Sequence, residues 1–240
     1  MTLCLRGALC LVALLWGHAG EAALNLTRTR LIYQGGEANL LVRNDGTEPS
    51  LLQAWVDGGD EQQGPAEVST PFLVAPPMMR LGPQKGQSLR ILGADDLTHL
   101  PQDRESLFWL NVLGLPPKAS LSEASIQLAY RTRIKLFYRP PGVQGALADA
   151  VARLDWRMQA DGLSVRNGSP FYISLSEVWL EAGSRRQSWQ QAGLISPYGM
   201  LTIPVHLVGS TAIKGRVRWI DDDGTYHEQG FVPGKGGIHD

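Results

Sequence analysis

The chain has 240 residues, 43% of them hydrophobic and 19% charged, with a formal net charge of −1. That length suits one large or two ordinary domains, and the apolar content supports a packed core rather than a disordered chain. The near-neutral balance argues against a protein held to nucleic acid by a broad basic surface.

In chain order, Arg6 precedes an apolar run from Ala8 to Trp16, and small residues then cluster at Ala19, Gly20, Ala22 and Ala23. Charge, short apolar run and small-residue site together form the secretory pattern, with cleavage placed after Ala22, so residues 1–22 are read as a signal peptide. The run is shorter than the roughly 20 residues a membrane span needs, and no membrane insertion is expected. Both cysteines, Cys4 and Cys10, fall inside this segment. The mature chain therefore has no disulfide, no thiol nucleophile and no cysteine metal ligand.

Beyond the signal the apolar residues follow a period of two. Ala38, Leu40 and Val42 run into the turn residues Asn44-Asp45-Gly46, and Gln53 to Val56 runs into Asp57-Gly58-Gly59-Asp60. Phe72 to Val74 stops at Pro76-Pro77, Ser88 to Leu92 at Gly93, and Leu107 to Val112 at Pro116-Pro117. Arg139-Pro140-Pro141-Gly142 reads as a linker, because two prolines remove backbone donors and the preceding strand cannot run on. The pattern then restarts at Leu163 to Val165, Phe171 to Leu180, Leu201 to Val208 and Arg216 to Ile220. Ala146 to Met158 allows a short helix, but no long helical stretch is present. Short strands with regular turn signals predict an all-β chain of two β-sandwich domains, 23–141 and 142–240.

One segment stands apart. Ser125 to Tyr138 is long for a strand, where about 5–6 residues is usual. Ile126, Leu128 and Tyr130 share one face, and Gln127, Ala129 and Arg131 the other. Periodicity alone favours a central strand with its apolar face in the core. Arg131, Arg133 and Lys135 count against full burial, because charges are costly to bury without partners. An exposed strand of this kind is a liability unless a partner takes it up as an added strand.

Several stretches resemble the periplasmic chaperones of the chaperone–usher pathway, the PapD-like family. They are Leu100-Pro-Gln-Asp-Arg-Glu-Ser-Leu-Phe-Trp-Leu-Asn111 with Leu115-Pro-Pro117, Arg133-Ile-Lys-Leu-Phe-Tyr-Arg-Pro140, Thr27-Arg-Thr-Arg30 and Asn167-Gly-Ser-Pro-Phe-Tyr172. The resemblance implies two immunoglobulin-like sandwiches set at an angle. It also implies a periplasmic chaperone that lends a β-strand to pilus subunits and delivers them to an outer-membrane usher, with no catalysis and no cofactor. Carried over by position, Arg30 and Lys135 match basic anchors for a subunit's terminal carboxylate, where a planar guanidinium and a compact ammonium would fix strand register. Ile126, Leu128 and Tyr130 match the donated side chains, and Glu105, Arg139 and Asp222 match an acidic–basic–acidic set at the domain junction. Strict alternation puts Lys135 on the face opposite Ile126, so twist or a bulge is expected to turn it into the cleft. The short segment from Lys118 to Ser125 resembles the short-loop branch associated with adhesive pili. The cysteine pair of many second domains is missing. A free donor strand could also self-associate as a capped dimer.

Other signals are weaker. Gly230 to Lys235 lacks the spacing and the Ser/Thr of a phosphate loop, and the adjacent aspartates Asp221, Asp222 and Asp223 fit a turn better than a calcium loop. The histidines show no metal-ligand spacing, so no metal is predicted. The alternative reading is a secreted pilus subunit or adhesin. A hydrolase lacks any nucleophile–base arrangement.

Overall fold

The computed structural model describes residues 24–94, 96–117, 128–205 and 213–235. The first half contributes β1 (Leu24–Leu26), β2 (Arg30–Tyr33), β3 (Glu37–Asn44), β4 (Ser50–Asp57), β5 (Phe72–Ala75), β6 (Met78–Leu81), β7 (Gly86–Gly93), β8 (Ser106–Leu115) and β9 (Tyr130–Tyr138). They form two sheets, ordered β1-β3-β7-β5 and β2-β9-β8-β4-β6. β3 shows why: its residues alternate strictly between exposed and buried, sending Ala38, Leu40 and Val42 inward. Leu40, Leu52, Leu89, Ile91, Leu110 and Leu136 fill the space between the sheets with essentially no exposed area. Each contributes about 1.5–3 kcal/mol by leaving water.

The second half opens with α1 (Leu147–Ala152) and continues as β10 (Asp155–Gln159), β11 (Gly162–Arg166), β12 (Ile173–Ala182), β13 (Arg185–Ile195), β14 (Met200–Ile203), β15 (Ile213–Ile220), β16 (Tyr226–Phe231) and β17 (Gly234–Lys235). Its sheets run β14-β11-β10-β17 and β13-β12-β15-β16, around a second core holding Leu163, Ile173, Leu180 and Ile195. The chain is thus all-β in two sandwiches. The Ala146–Met158 stretch divides into a six-residue helix and a strand, because Trp156 and Met158 alternate with polar residues and pair with β11. β13 gave no sequence signal: it is a mostly polar sheet edge, paired along its length with β12, and its Trp189, Ala192 and Ile195 reach the second core without a regular apolar period. No helix among the described residues is long and apolar enough to cross a membrane.

Asn44 and Asn167, each beside a glycine-containing turn, do more than mark a turn. Asn167 is fully buried; its amide donates to the carbonyls of Phe171 (2.7 Å) and Ser196 (3.0 Å), and its Oδ1 accepts from the Ser169 N–H (3.0 Å). Asn44 does the same work in the first sandwich, donating to Glu48 and Leu81 carbonyls while accepting from Gly46 N–H. Replacing Asn167 by Ala orphans several buried backbone groups and should cost about 2 kcal/mol. Urea unfolding checks this, and a loss within about 0.5 kcal/mol, ordinary for a surface site, would contradict it.

Candidate strand-donation site

β9 is a strand with two different halves. β8 lies antiparallel along all of it, pairing Ser106–Gly114 with Tyr138–Tyr130. On its other side β2 runs parallel but pairs only Arg30 to Tyr33 with Lys135 to Tyr138. Among the described residues, no strand pairs with 130–134 on that side. The cause is a switch by the N-terminal segment: Leu24–Leu26 pairs with β3 in the opposite sheet, and the chain joins β9 only from Arg30 onward. Between the two lies a cleft of about 610 Å³, lined by Leu24, Leu26, Arg28, Thr132, Arg133 and Ile134.

The two faces of β9 also differ. Ile134, Leu136 and Tyr138 enter the core, whereas on the same face Leu128 and Tyr130, beyond the end of the packed sandwich, are each 58% exposed. Ile126 lies outside the described residues. The strand is thus core in its second half and bare in its first, so the central-strand and exposed-strand readings each hold for one half. Its register with β8 is unbroken from Tyr130 to Tyr138, so no bulge redirects Lys135 there. None is required, because the second sandwich packs on the outer face, which Lys135 already shares. Phe137, two residues on from Lys135, sits with its ring 5.6 Å from Tyr172 of the second sandwich.

Arg30 and Lys135 are directly opposite on adjacent strands. Arg30 is buried, and its Nη1 donates to Ile220 C=O (3.1 Å) and Ser174 Oγ (3.3 Å) across the junction. Its Nε has no partner among the described residues. The Lys135 Nζ lies 5.3 Å above the Trp109 ring. Among the described residues no carboxylate comes within ion-pair distance of either cation. Burial, reinforced by the charge of Arg30, holds the Lys135 ammonium below the ordinary lysine range. Burial also lowers Arg30, against the pull of Asp222 and Asp221. Two cations held close together, with no carboxylate in ion-pair distance among the described residues, are suited to one anion.

Glu105, Arg139 and Asp222 come together where the sandwiches meet. Arg139 Nε donates to Glu105 (2.7 Å), and its two Nη groups take Asp222 in a bidentate pair (2.7 and 2.8 Å). Glu105, buried at 3% exposure, also accepts from the Tyr172 N–H (2.6 Å). Burial draws the Arg139 guanidinium down, but Asp222 and Glu105 together raise it above its usual value. Asp223 adds a solvated pair with Arg28, and Asp221 contacts His227. The acidic run is therefore a turn whose three carboxylates each take a different cationic or imidazole partner.

Sequence reasoning missed one cluster. On the outer face Asp57 of β4 is fully buried and takes Arg133 of β9 bidentately (2.6 and 3.2 Å) and the Asn111 amide of β8 (2.6 Å). Burial pushes the Asp57 carboxyl up, but Arg133, Asn111 and the Gly59 N–H outweigh it and leave it below the usual carboxylate range. Arg131 Nε donates to Asn111 (2.8 Å), while the Arg131 and Arg133 guanidiniums lie over the rings of Trp55 and Trp109. The available signal was the pair Arg131 and Arg133, which called for an acidic partner. Asp57 was read only as a turn residue.

The family model described as "Pili and flagellar-assembly chaperone, PapD N-terminal domain" matches residues 23–144, and "Pili assembly chaperone PapD, C-terminal domain" matches 149–231. The chain belongs to the PapD-like family of pilus-assembly chaperones. Among its relatives, the chaperone protein FimB/FhaD of Bordetella pertussis is 43% identical over 190 residues, covering 74% of this chain and 77% of its own. The probable fimbrial chaperone YadV of Escherichia coli is 35% identical over 223 residues, covering 88% and 90%. A crystal structure of the YadV chaperone superposes with a TM-score of 0.75 at 34% identity over 88% of this chain and 99% of that one. The Salmonella enterica SafB chaperone, solved in complex with SafA pilin, gives 0.72 at 29% identity, with 87% and 95% covered. Members of the PapD-like family are named as chaperones, a non-enzymatic role, and the two-sandwich fold is theirs.

Proposed function

We propose that this PapD-like chaperone is exported to the periplasm by residues 1–22. There it pairs pilus subunits along the open edge of β9 and passes them to an outer-membrane usher. The observation that carries the reading is the meeting of two features: a strand edge over residues 130–134 that no described strand occupies, ending at the paired cations Arg30 and Lys135. Main-chain hydrogen bonds along that edge would supply affinity, Ile126, Leu128 and Tyr130 would fill the subunit's groove, and the cations would take its terminal carboxylate and set register. The SafB complex with a pilin supports such a partner. Glu105, Arg139 and Asp222 are assigned to holding domains 23–141 and 142–240 at an angle. An unoccupied edge would leave room for a capped dimer.

Co-expression with a pilus subunit tests this. The expected product is a one-to-one, SDS-labile complex in which backbone amides of 131 and 133 gain protection from exchange. Recovery of the chain in assembled fibres instead would favour a structural subunit.

A further inference from the structure

We propose that Asp57 is a positioning residue for strand donation, clamping the half-supported end of β9 so that its open edge is presented straight. The inference rests on the strand-donation reading and adds a part to it. Over residues 135–138 β9 is held from both sides, but over 130–134 only β8 pairs with it among the described residues, and the core-face side chains Tyr130 and Thr132 are exposed until Ile134 re-enters the core. A segment with one neighbour and little burial opens easily. Here it is tied down from the outer face. Asp57 sits on β4, two strands away, and its carboxylate grips Arg133 directly and Arg131 through Asn111. Glu61 adds a second hold, its carboxylate accepting from Arg133 (2.9 Å) and its carbonyl from Arg131 (2.7 Å).

The geometry gives this clamp a specific target. The Arg139 N–H donates to Tyr33 C=O on the β2 side of the strand (2.8 Å). Backbone groups alternate sides along a strand, so those of Arg133 and Arg131 also face the β2 side, which is open at their level. The residues whose side chains Asp57 immobilises are therefore the residues whose N–H and C=O a client strand would use. Edge presentation and side-chain clamp reside on the same two residues. The polar side-chain atoms of Asp57 and Asn111 all find partners here, the condition under which such networks rigidify, while the Trp55 indole N–H beside them has none among the described residues.

The test uses the full chain, a co-expressed pilus subunit and the variant Asp57→Asn. Three quantities are measured: global unfolding in urea, site-resolved amide exchange at Tyr130, Thr132 and Ile134, and the dissociation constant for the subunit. The expected result is exchange about tenfold faster at those three amides, beyond any change in global stability, with capture weakened by a similar factor. A purely structural role would lower global stability and leave the local-to-global ratio of exchange unchanged, and that result overturns the proposal. If Asp57→Asn does not fold, Arg131→Gln, whose side chain is 30% exposed, carries the same expectation and the same reversal. Wild-type capture abolished by Lys135→Ala but equal in Asp57→Asn would leave strand donation standing and sink the clamp. No capture by the wild type would sink both.

Discussion

Lys135→Met should abolish subunit capture while making the free chain slightly more stable. In the free chain Lys135 faces Arg30 across two strands with no carboxylate within ion-pair distance among the described residues. Like charges placed directly opposite are destabilising, and removing one should raise stability by roughly 0.5–1 kcal/mol in urea unfolding. In the complex the same ammonium would bind a desolvated carboxylate. Loss of one partner of such a pair costs about 2–5 kcal/mol, so affinity should fall by roughly 30-fold to several thousand-fold. A stability gain with a binding loss separates an anchor from an ordinary structural lysine, whose removal would lower the first and spare the second. Unchanged capture would remove Lys135 from the site.

The same residue sets a pH dependence with opposite signs in the two states. Burial and Arg30 depress the folded Lys135 value below that of the unfolded chain. Between the two values the unfolded chain binds more protons, so the free protein gains stability as pH rises through that window. Capture needs the ammonium, so it should weaken over the same rise, beginning below the ordinary lysine range. Lys135→Arg should hold capture to higher pH, since guanidinium stays charged. Titrating complex yield against pH for both proteins reads this directly.

How much of this was legible in the sequence depends on the kind of interaction. Strands that bury one face, such as β3 and β7, were readable, because alternation is a local property of Ala38 to Val42 and of Ser88 to Leu92. The edge strand β13 was not, because its long pairing with β12 comes from a neighbour and the residues that reach the core, Trp189, Ala192 and Ile195, follow no period of two. For β9 local reasoning could offer only core or edge. The strand is both, and the division at residue 135 is set by where the distant β2 begins, a fact about topology rather than composition. Arg30 and Lys135 were found through family motifs. Their direct opposition comes from a parallel register that no spacing between them encodes. Asp57 shows the converse failure. Its neighbours Gly58 and Gly59 made a turn the cheapest explanation, and Gly59 does donate to its carboxylate (2.7 Å). The other carboxylate oxygen serves Asn111 and Arg133, which lie 54 and 76 residues away.

Arg139→Met should be the most destabilising single change at the junction. It leaves Glu105 buried with only the Tyr172 N–H as a donor among the described residues, and breaking one side of a buried pair costs about 3–5 kcal/mol. Because Arg139 also carries both bonds to Asp222 of the second sandwich, calorimetry should show the two sandwiches unfolding in separate transitions. Two controls give the prediction its edge. Burial already pushes the Glu105 carboxyl above the usual carboxylate range, against the pull of Arg139. A raised acid binds its proton more tightly when folded, so its contribution falls as pH rises through the folded value. Without Arg139 that effect grows, and the deficit relative to wild type should shrink as the solution is acidified. The second control is Glu105→Gln in the same chain, which removes the stranded charge while keeping an acceptor for Tyr172. It should recover part of the stability but not the single transition, because the bridge to Asp222 is still missing. A deficit that ignores both pH and Glu105 would mean that Arg139 acts by packing against Phe171, whose ring lies 4.9 Å from its guanidinium, and not by charge.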